Sequence, residues 1–356
     1  MLFTKKPLRN QHILISRTDN IGDVILTLPM AARLKQINPG VKISLLCRSY
    51  TSRLVRYCNS VDEVVELESI ADPTEYFRAS DIDTIIMAQP DHDLALAAFK
   101  GRIRNRIGNA RQKLYLKFFC NRHVYFSKGK CEAHEAQINF QFLRPYGENS
   151  IPAREDIPAL YDFSIPADEK INGMLAPHAF NLILHTKSNG HGREWPVAHY
   201  LRLAQLLRDE PGTCVWLTGS DQEGQWLTQH AQELLALPNV RNVCGQFTLA
   251  ELSIFIKHAD GLIASGTGPL HLSAAIGQRT LGLFPPTRPM HPGRWAPLGE
   301  HAETLYMETC ESNCLATGSP SCDCMRKIQP EAVYRIVRRW MRDARERIIL
   351  EPSSGY

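Results

Sequence analysis

The stretch His12-Ile13-Leu14-Ile15-Ser16-Arg17-Thr18-Asp19-Asn20-Ile21-Gly22-Asp23-Val24 sets the reading of the whole chain. Its first five residues form a short apolar run of the kind that makes a buried parallel strand. A polar loop containing Gly22 follows, and a helical stretch then runs from about Val24 to Ile37, where Asn38-Pro39-Gly40 stops it. The same step recurs. VKISLLC (41–47), DEVVEL (62–67) and DTIIMA (83–88) read as further strands with helical segments between them. A βαβαβ order predicts a parallel sheet with helices on both faces.

Between Gly147 and Asp168 the texture changes. Pro152, Pro158 and Pro166, with Pro145 just before, stand among few periodic apolar residues and suggest a linker. After it NLILHT (181–186), TCVWLTG (213–219), VRNVCG (240–245), GLIAS (261–265) and RTLGLF (279–284) read as strands. Helical signals at 197–209, 222–236, 248–259 and 269–276 separate them, and an arginine-rich amphipathic segment from Pro330 to about Leu350 closes the chain. The expected fold class is α/β with two doubly wound halves. Ligands of such sheets bind beyond the carboxyl ends of the strands, and two facing sheets leave a cleft.

The 356 residues suffice for two cores, and 44% hydrophobic with 22% charged residues is ordinary for a globular protein. No apolar run approaches the roughly 18 residues of a spanning helix. The first residues lack the long apolar segment of a secretory signal, so a cytoplasmic location is expected. The net charge of +4 is modest, but Lys100, Arg102, Arg104, Arg106, Arg111, Lys113, Lys117, Arg122, Lys128 and Lys130 follow one another without an Asp or Glu. That run is either a solvated surface or a field for an anionic partner. Cys47, Cys58, Cys120, Cys131, Cys214 and Cys244 are scattered and read as reduced, packed thiols. Cys310, Cys314, Cys322 and Cys324 cluster, which leaves a structural zinc site open although paired C-x2-C knuckles are absent.

Three loops have the residues for chemistry. Asp23, after Gly22, is either the cap of the next helix or a carboxylate base. Ser265-Gly266-Thr267-Gly268-Pro269-Leu270-His271 offers backbone N–H groups at a helix start, where an anion is favoured; it is neither a dinucleotide fingerprint nor a GxxxxGK[ST] loop. His185-Thr186-Lys187-Ser188-Asn189-Gly190-His191-Gly192-Arg193-Glu194-Trp195-Pro196 carries two cations, one of them an arginine suited to phosphate.

Taken in order, Gly22-Asp23-Val24 with Thr27-Leu28-Pro29, a basic residue two before Trp195-Pro196, and Thr267-Gly268-Pro269-Leu270-His271-Leu272-Ser273-Ala274-Ala275-Ile276-Gly277 resemble glycosyltransferase family 9, the ADP-heptose:lipopolysaccharide heptosyltransferases. His134-Glu135, before a helical segment ending at Tyr146-Gly147, matches as well. The resemblance spans nearly the whole chain, and the late motif is its most specific part. It implies a GT-B fold of two facing Rossmann-like domains: an acceptor-binding domain over 1–165, a nucleotide-sugar-binding domain over 166–328, and a terminal helix over 329–356 packing back on the first. It implies inverting transfer of heptose from ADP-heptose to a lipopolysaccharide-core or related glycolipid acceptor, with Asp23 as general base.

On the same footing Lys187, Ser188, Arg193, Glu223, Phe247, Thr267, Gly268 and His271 would bind the nucleotide sugar. Gly22 and, from the basic run, Arg102, Arg104 and Arg106 would face the acceptor. The expected partners are an ADP-linked donor, an anionic glycolipid and the inner face of the cytoplasmic membrane, with no nucleic acid. No tightly bound cofactor or metal is expected; Asp81-Ile82-Asp83 has DxD spacing but precedes a buried strand of the acceptor half. Gly266 departs from the family, which usually has an aspartate there that contacts sugar hydroxyls, so the transferred sugar is left open. A non-catalytic anionic-glycan-binding protein and a sugar-nucleotide epimerase or hydrolase are the alternatives.

Overall fold

The structure is a computed structural model that describes residues 11–127, 132–188, 193–287, 290–309 and 323–350, with side chains as far as 346. The chain forms two compact units, Met1–Ser164 and Ile165–Tyr356, divided inside the proline-rich stretch.

The first unit holds β1 (His12–Ser16), β2 (Lys42–Cys47), β3 (Glu63–Glu66), β4 (Thr84–Met87), β5 (Asn105–Asn109) and β6 (Arg122–Val124). All pairs are parallel and the order is β3-β2-β1-β4-β5-β6. Sequence reading missed β5 and β6. Ile107 is the one large apolar residue of Asn-Arg-Ile-Gly-Asn, and β6 has three residues, so neither gives the apolar run that marks a buried strand.

The second unit holds β7 (Phe180–His185), β8 (Thr213–Thr218), β9 (Val240–Asn242), β10 (Gly261–Ser265), β11 (Thr280–Phe284) and β12 (Ala302–Tyr306), ordered β12-β11-β10-β7-β8-β9. Taken from its β9 edge, this is the strand order of the first unit. Each unit is therefore a doubly wound 3-2-1-4-5-6 sheet, and the strand order reverses between β1 and β4 in one and between β7 and β10 in the other. The two halves repeat in topology although no sequence repeat links them.

The helix expected from Val24 to Ile37 is two helices, Ile21–Ile25 and Leu28–Ile37. Pro29 has no N–H to give the carbonyl of Ile25, which ends the first helix there. Thr27 Oγ1 then donates to the Asp23 carbonyl at 2.8 Å and fixes the bend.

Asp81 and Asp83 clamp the start of β1. Asp83 accepts from the backbone N–H of Gln11 and His12, while His12 Nδ1 lies 2.7 Å from Asp81 and its Nε2 2.7 Å from Ser44 Oγ. The serine–histidine–aspartate spacing copies that of a hydrolase, but Ser44 is wholly buried and lies away from the carboxyl edge of the sheet, so the cluster is a structural clip.

The terminal helix Pro330–Leu350 packs into the second unit, where Val333, Val337, Trp340 and Met341 enter the core with Tyr200, Leu203 and Leu207 of the helix Val197–Arg208. Trp340 reaches Gly261 of β10 so closely that a Cβ there would stand 2.8 Å from the indole. Among the described residues no helix is long and apolar enough to cross a membrane.

Candidate functional site

In the first unit the point of reversal is built around Arg17, the residue after β1. Its side chain is 1% exposed, an uncommon place for a permanent cation. Nε donates to Asp19 Oδ1 at 2.8 Å, a terminal nitrogen donates to Asp23 Oδ1, and Glu135 Oε1 lies 3.7 Å away. The guanidinium also reaches the carbonyl of Ala88, beyond β4, at 3.4 Å and Asn139 Oδ1 at 3.5 Å. Burial works against the charge, but Asp23, Asp19 and Glu135 outweigh it and raise the Arg17 pKa above its ordinary value.

Asp23 is the third residue of its helix, not the cap, which is Asn20. Its carboxylate is turned to Arg17 and keeps 18% of its side chain exposed. The arrangement is an aimed, partly accessible carboxylate, which is what a general base needs. Gly22 is buried in the same turn. Arg17 and Asp19 have no role in the sequence reading, and Glu135 enters it only as part of the His134-Glu135 match. The signal was an arginine directly after an apolar strand, where a loop residue is normally solvated.

In the second unit the reversal lies between β7 and β10, with Ala264 beside His185 in register. Thr186 and Thr267 continue from those strands and are 2% and 9% exposed, and neither Oγ1 has a hydrogen-bond partner among the described residues. Buried hydroxyls without partners are rare and costly. Thr267 caps the helix Gly268–Ala275 by its backbone alone, leaving the first N–H groups of that helix toward the same edge. Gly277, at φ +81°, ends the turn after this helix in a backbone that favours glycine.

The loop after β7 folds on Glu194, which accepts from Lys187 Nζ at 2.5 Å, from Ser188 N–H at 3.0 Å and from Ser188 Oγ at 3.1 Å. Lys187 also lies 3.8 Å over the Trp226 ring. Arg193 is buried. Trp195 fixes the far end of the loop, giving its backbone N–H to Ser265 Oγ and its indole N–H to the Ile328 carbonyl at 2.8 Å. His185 places Nδ1 3.0 Å from Thr218 Oγ1, and burial drives its pKa down against the opposing charge of Glu223. His271 is buried on the helix Gly268–Ala275.

Thus Thr267, Gly268, His271, Lys187, Ser188 and Arg193 gather at one edge of the second sheet. Glu223 is the N3 residue of the helix Asp221–His230, where it closes a capping box with Ser220. Phe247 packs its ring 4.8 Å from that of Phe255. Gly266 faces the Phe284 ring, and a Cβ at 266 would stand 3.0 Å from Phe284 Cε1. The side chain at the end of β11 thus fills the space that a residue larger than glycine needs.

The three arginines named for the acceptor do not join Asp23. Arg102 and Arg104 precede β5, whereas Asp23 follows β1, so in a parallel sheet they lie at opposite edges, about 16 Å apart along a five-residue strand. Arg106 donates to the carbonyls of Phe119 and Ile103 and stacks over Phe99, with its pKa lowered by burial. Cys47, Cys58, Cys120 and Cys214 are buried free thiols, and burial pushes Cys120 up to about 12. Of the late cysteine cluster, Cys310, Cys314 and Cys322 lie outside the described residues, and Cys324 is buried in the core of the second unit.

Residues 77–323 match the profile of glycosyltransferase family 9 (heptosyltransferase). A putative glycosyltransferase of Haemophilus influenzae is 27% identical over 306 residues, covering 82% of this chain and 87% of that protein. Lipooligosaccharide heptosyltransferase 2 of Campylobacter jejuni is 23% identical over 228 residues, or 62% and 68% of the two chains. Among solved structures, the ADP-heptose lipopolysaccharide heptosyltransferase II of Escherichia coli superposes with a TM-score of 0.73 at 18% identity, covering 94% of this chain and 99% of that one. At that identity the likeness carries the fold, and the fold is GT-B.

Proposed function

The chain belongs to glycosyltransferase family 9 and is a glycosyltransferase; within that family we propose that it moves heptose from ADP-heptose to a lipid-linked saccharide with inversion, using Asp23 as the base. The observation that carries the donor half of this reading is the pair of buried hydroxyls of Thr186 and Thr267, without hydrogen-bond partners among the described residues, beside the first N–H groups of the helix Gly268–Ala275. A diphosphate supplies the acceptors those hydroxyls and amides lack, and the helix start contributes about half a positive charge toward it.

In the proposed reaction an acceptor hydroxyl oxygen attacks the anomeric carbon as its proton passes to the Asp23 carboxylate. The bond from that carbon to the diphosphate breaks, and the nucleoside diphosphate leaves with the electron pair. Arg17 holds the carboxylate in place while the proton arrives. Thr186, Thr267 and the helix amides stabilise the departing phosphate, aided by the Arg193 guanidinium. The sugar and acceptor follow the relatives, which include an ADP-heptose enzyme and a lipooligosaccharide enzyme.

Gly266 favours a second reading, in which the diphosphate is held the same way but carries a different sugar. The Phe284 ring presents an apolar surface where the family usually offers a carboxylate.

Transfer assays with ADP-, UDP- and GDP-linked sugars test both readings. Turnover with ADP-heptose that falls by about 10²–10⁴ in Asp23→Asn, with nucleotide binding retained, supports the first. An Asp23→Asn rate equal to the parent's removes the base assignment, and turnover only with another ADP-sugar selects the second.

A further inference from the structure

The stretch from Leu94 to Cys131 contains no Asp or Glu, and the structure shows what its cations surround. The short helix Leu116–Phe119 is anchored by Leu116, which is wholly buried. Leu114, in the turn that leads into it, and Phe118 are 67% and 70% exposed. Lys113 and Lys117 are exposed beside them. The neighbouring helix His92–Lys100 brings up Phe99, half-exposed, whose ring lies 5.9 Å from that of Phe119. Arg106, bonded to the carbonyls of Phe119 and Ile103 and stacked on Phe99, ties this platform to the edge of β5. The apolar residues are not the inner face of a core helix, because the inner face is Leu116.

Elsewhere on the first unit Arg33, Lys35, Lys42, Arg56 and Arg78 are each neutralised by a carboxylate, while others, such as Arg53 and Arg144, have no ion pair among the described residues. Among the described residues none of Lys100, Arg102, Arg104, Arg111, Lys113 and Lys117 has one. A cationic surface with two bulky aliphatic or aromatic side chains held out in water is poorly satisfied by a polar partner alone. Leucine has no face for a nucleic-acid base to stack on, and neither side chain gains from a charged glycan.

We propose that this turn docks on an anionic phospholipid surface, with Leu114 and Phe118 entering the interface and the surrounding Lys and Arg side chains over the headgroups. The proposal deepens the reading of a lipid-linked acceptor and rests on that reading only for its purpose. Its test uses no sugar donor, so either can fail without the other.

The experiment is sedimentation of the full chain with phosphatidylcholine vesicles, with and without phosphatidylglycerol. The expected result is binding that needs phosphatidylglycerol and weakens with salt. Lys113→Glu with Lys117→Glu should weaken it at least about tenfold, and Leu114→Ser with Phe118→Ser by a similar factor. Both pairs are exposed, so thermal melts should match the parent; if one pair fails to fold, the other still decides. Equal binding to neutral vesicles, no binding, or parent-like binding by the folded variants would overturn the proposal. So would displacement from the vesicles by single-stranded DNA at matched charge, which would make the surface a nucleic-acid site.

Discussion

Arg17 and Asp23 meet guanidinium to carboxylate where the strand order of the first sheet reverses, and Arg17 does so almost wholly out of water. One cation there faces Asp19, Asp23 and Glu135, and the polar groups of Ala88 and Asn139 complete its surroundings. Such a residue is hard to remove, because what remains is a cluster of like charges, with Glu135 buried and Asp19 and Asp23 partly so.

Arg17→Met should therefore cost about 3–5 kcal/mol, read by urea unfolding of the full chain. Arg17→Lys keeps the charge without the planar fork and should retain most of the stability while turnover falls. A loss under about 1 kcal/mol for the methionine variant would show that the carboxylates find other partners.

Thr267→Val separates stability from function. The Thr267 hydroxyl has no partner among the described residues, so its replacement by a methyl of the same shape should leave the melting temperature unchanged or raise it. If the hydroxyl serves a diphosphate, the donor Kd should rise by roughly tenfold or more, the worth of a hydrogen bond to a charged group. Unchanged donor affinity would leave the orphan hydroxyl unexplained.

His185 gives the second unit a dependence on pH. Its pKa is lowered in the folded protein, first by burial, so below about pH 6.5 the unfolded chain binds a proton that the folded one refuses. The sign follows directly: stability is complete above that pH and declines as pH falls, by up to about 1.4 kcal/mol per unit from this group. Melts of the parent and His185→Gln between pH 7.5 and about 5 should diverge in slope. Parallel slopes would mean that His185 does not govern the decline.

Gly266→Ala puts a Cβ 3.0 Å from Phe284 and should cost about 1–3 kcal/mol, recovered in part by Phe284→Leu. The pair Gly266→Asp with Phe284→Leu should fold and alter the ranking of ADP-sugars in transfer assays. An unaltered ranking would place the sugar away from this corner.

The strands that carry the candidate sites were legible because buried parallel strands are continuous apolar runs; β1, β4, β7 and β10 are of this kind. The outlying β5, β6 and β12 were not, since Arg106, Gly108, Arg122 and Glu303 break the pattern. Asp23, Thr267 and Gly268 were found through local motifs. Arg17 and Glu135 meet across more than a hundred residues, and the hydroxyl of Thr186 matters only through its burial beside β10, so no spacing rule reaches them. The acceptor arginines were chosen by charge, a property blind to which end of a strand a residue occupies.

The indole of Trp195 donates to the carbonyl of Ile328, two residues before the terminal helix, while its own backbone is held by Ser265. The loop after β7 therefore inherits its position from the end of the chain. Shortening or fusing the C-terminus is, in effect, a remote edit of that loop, made without touching any residue within it.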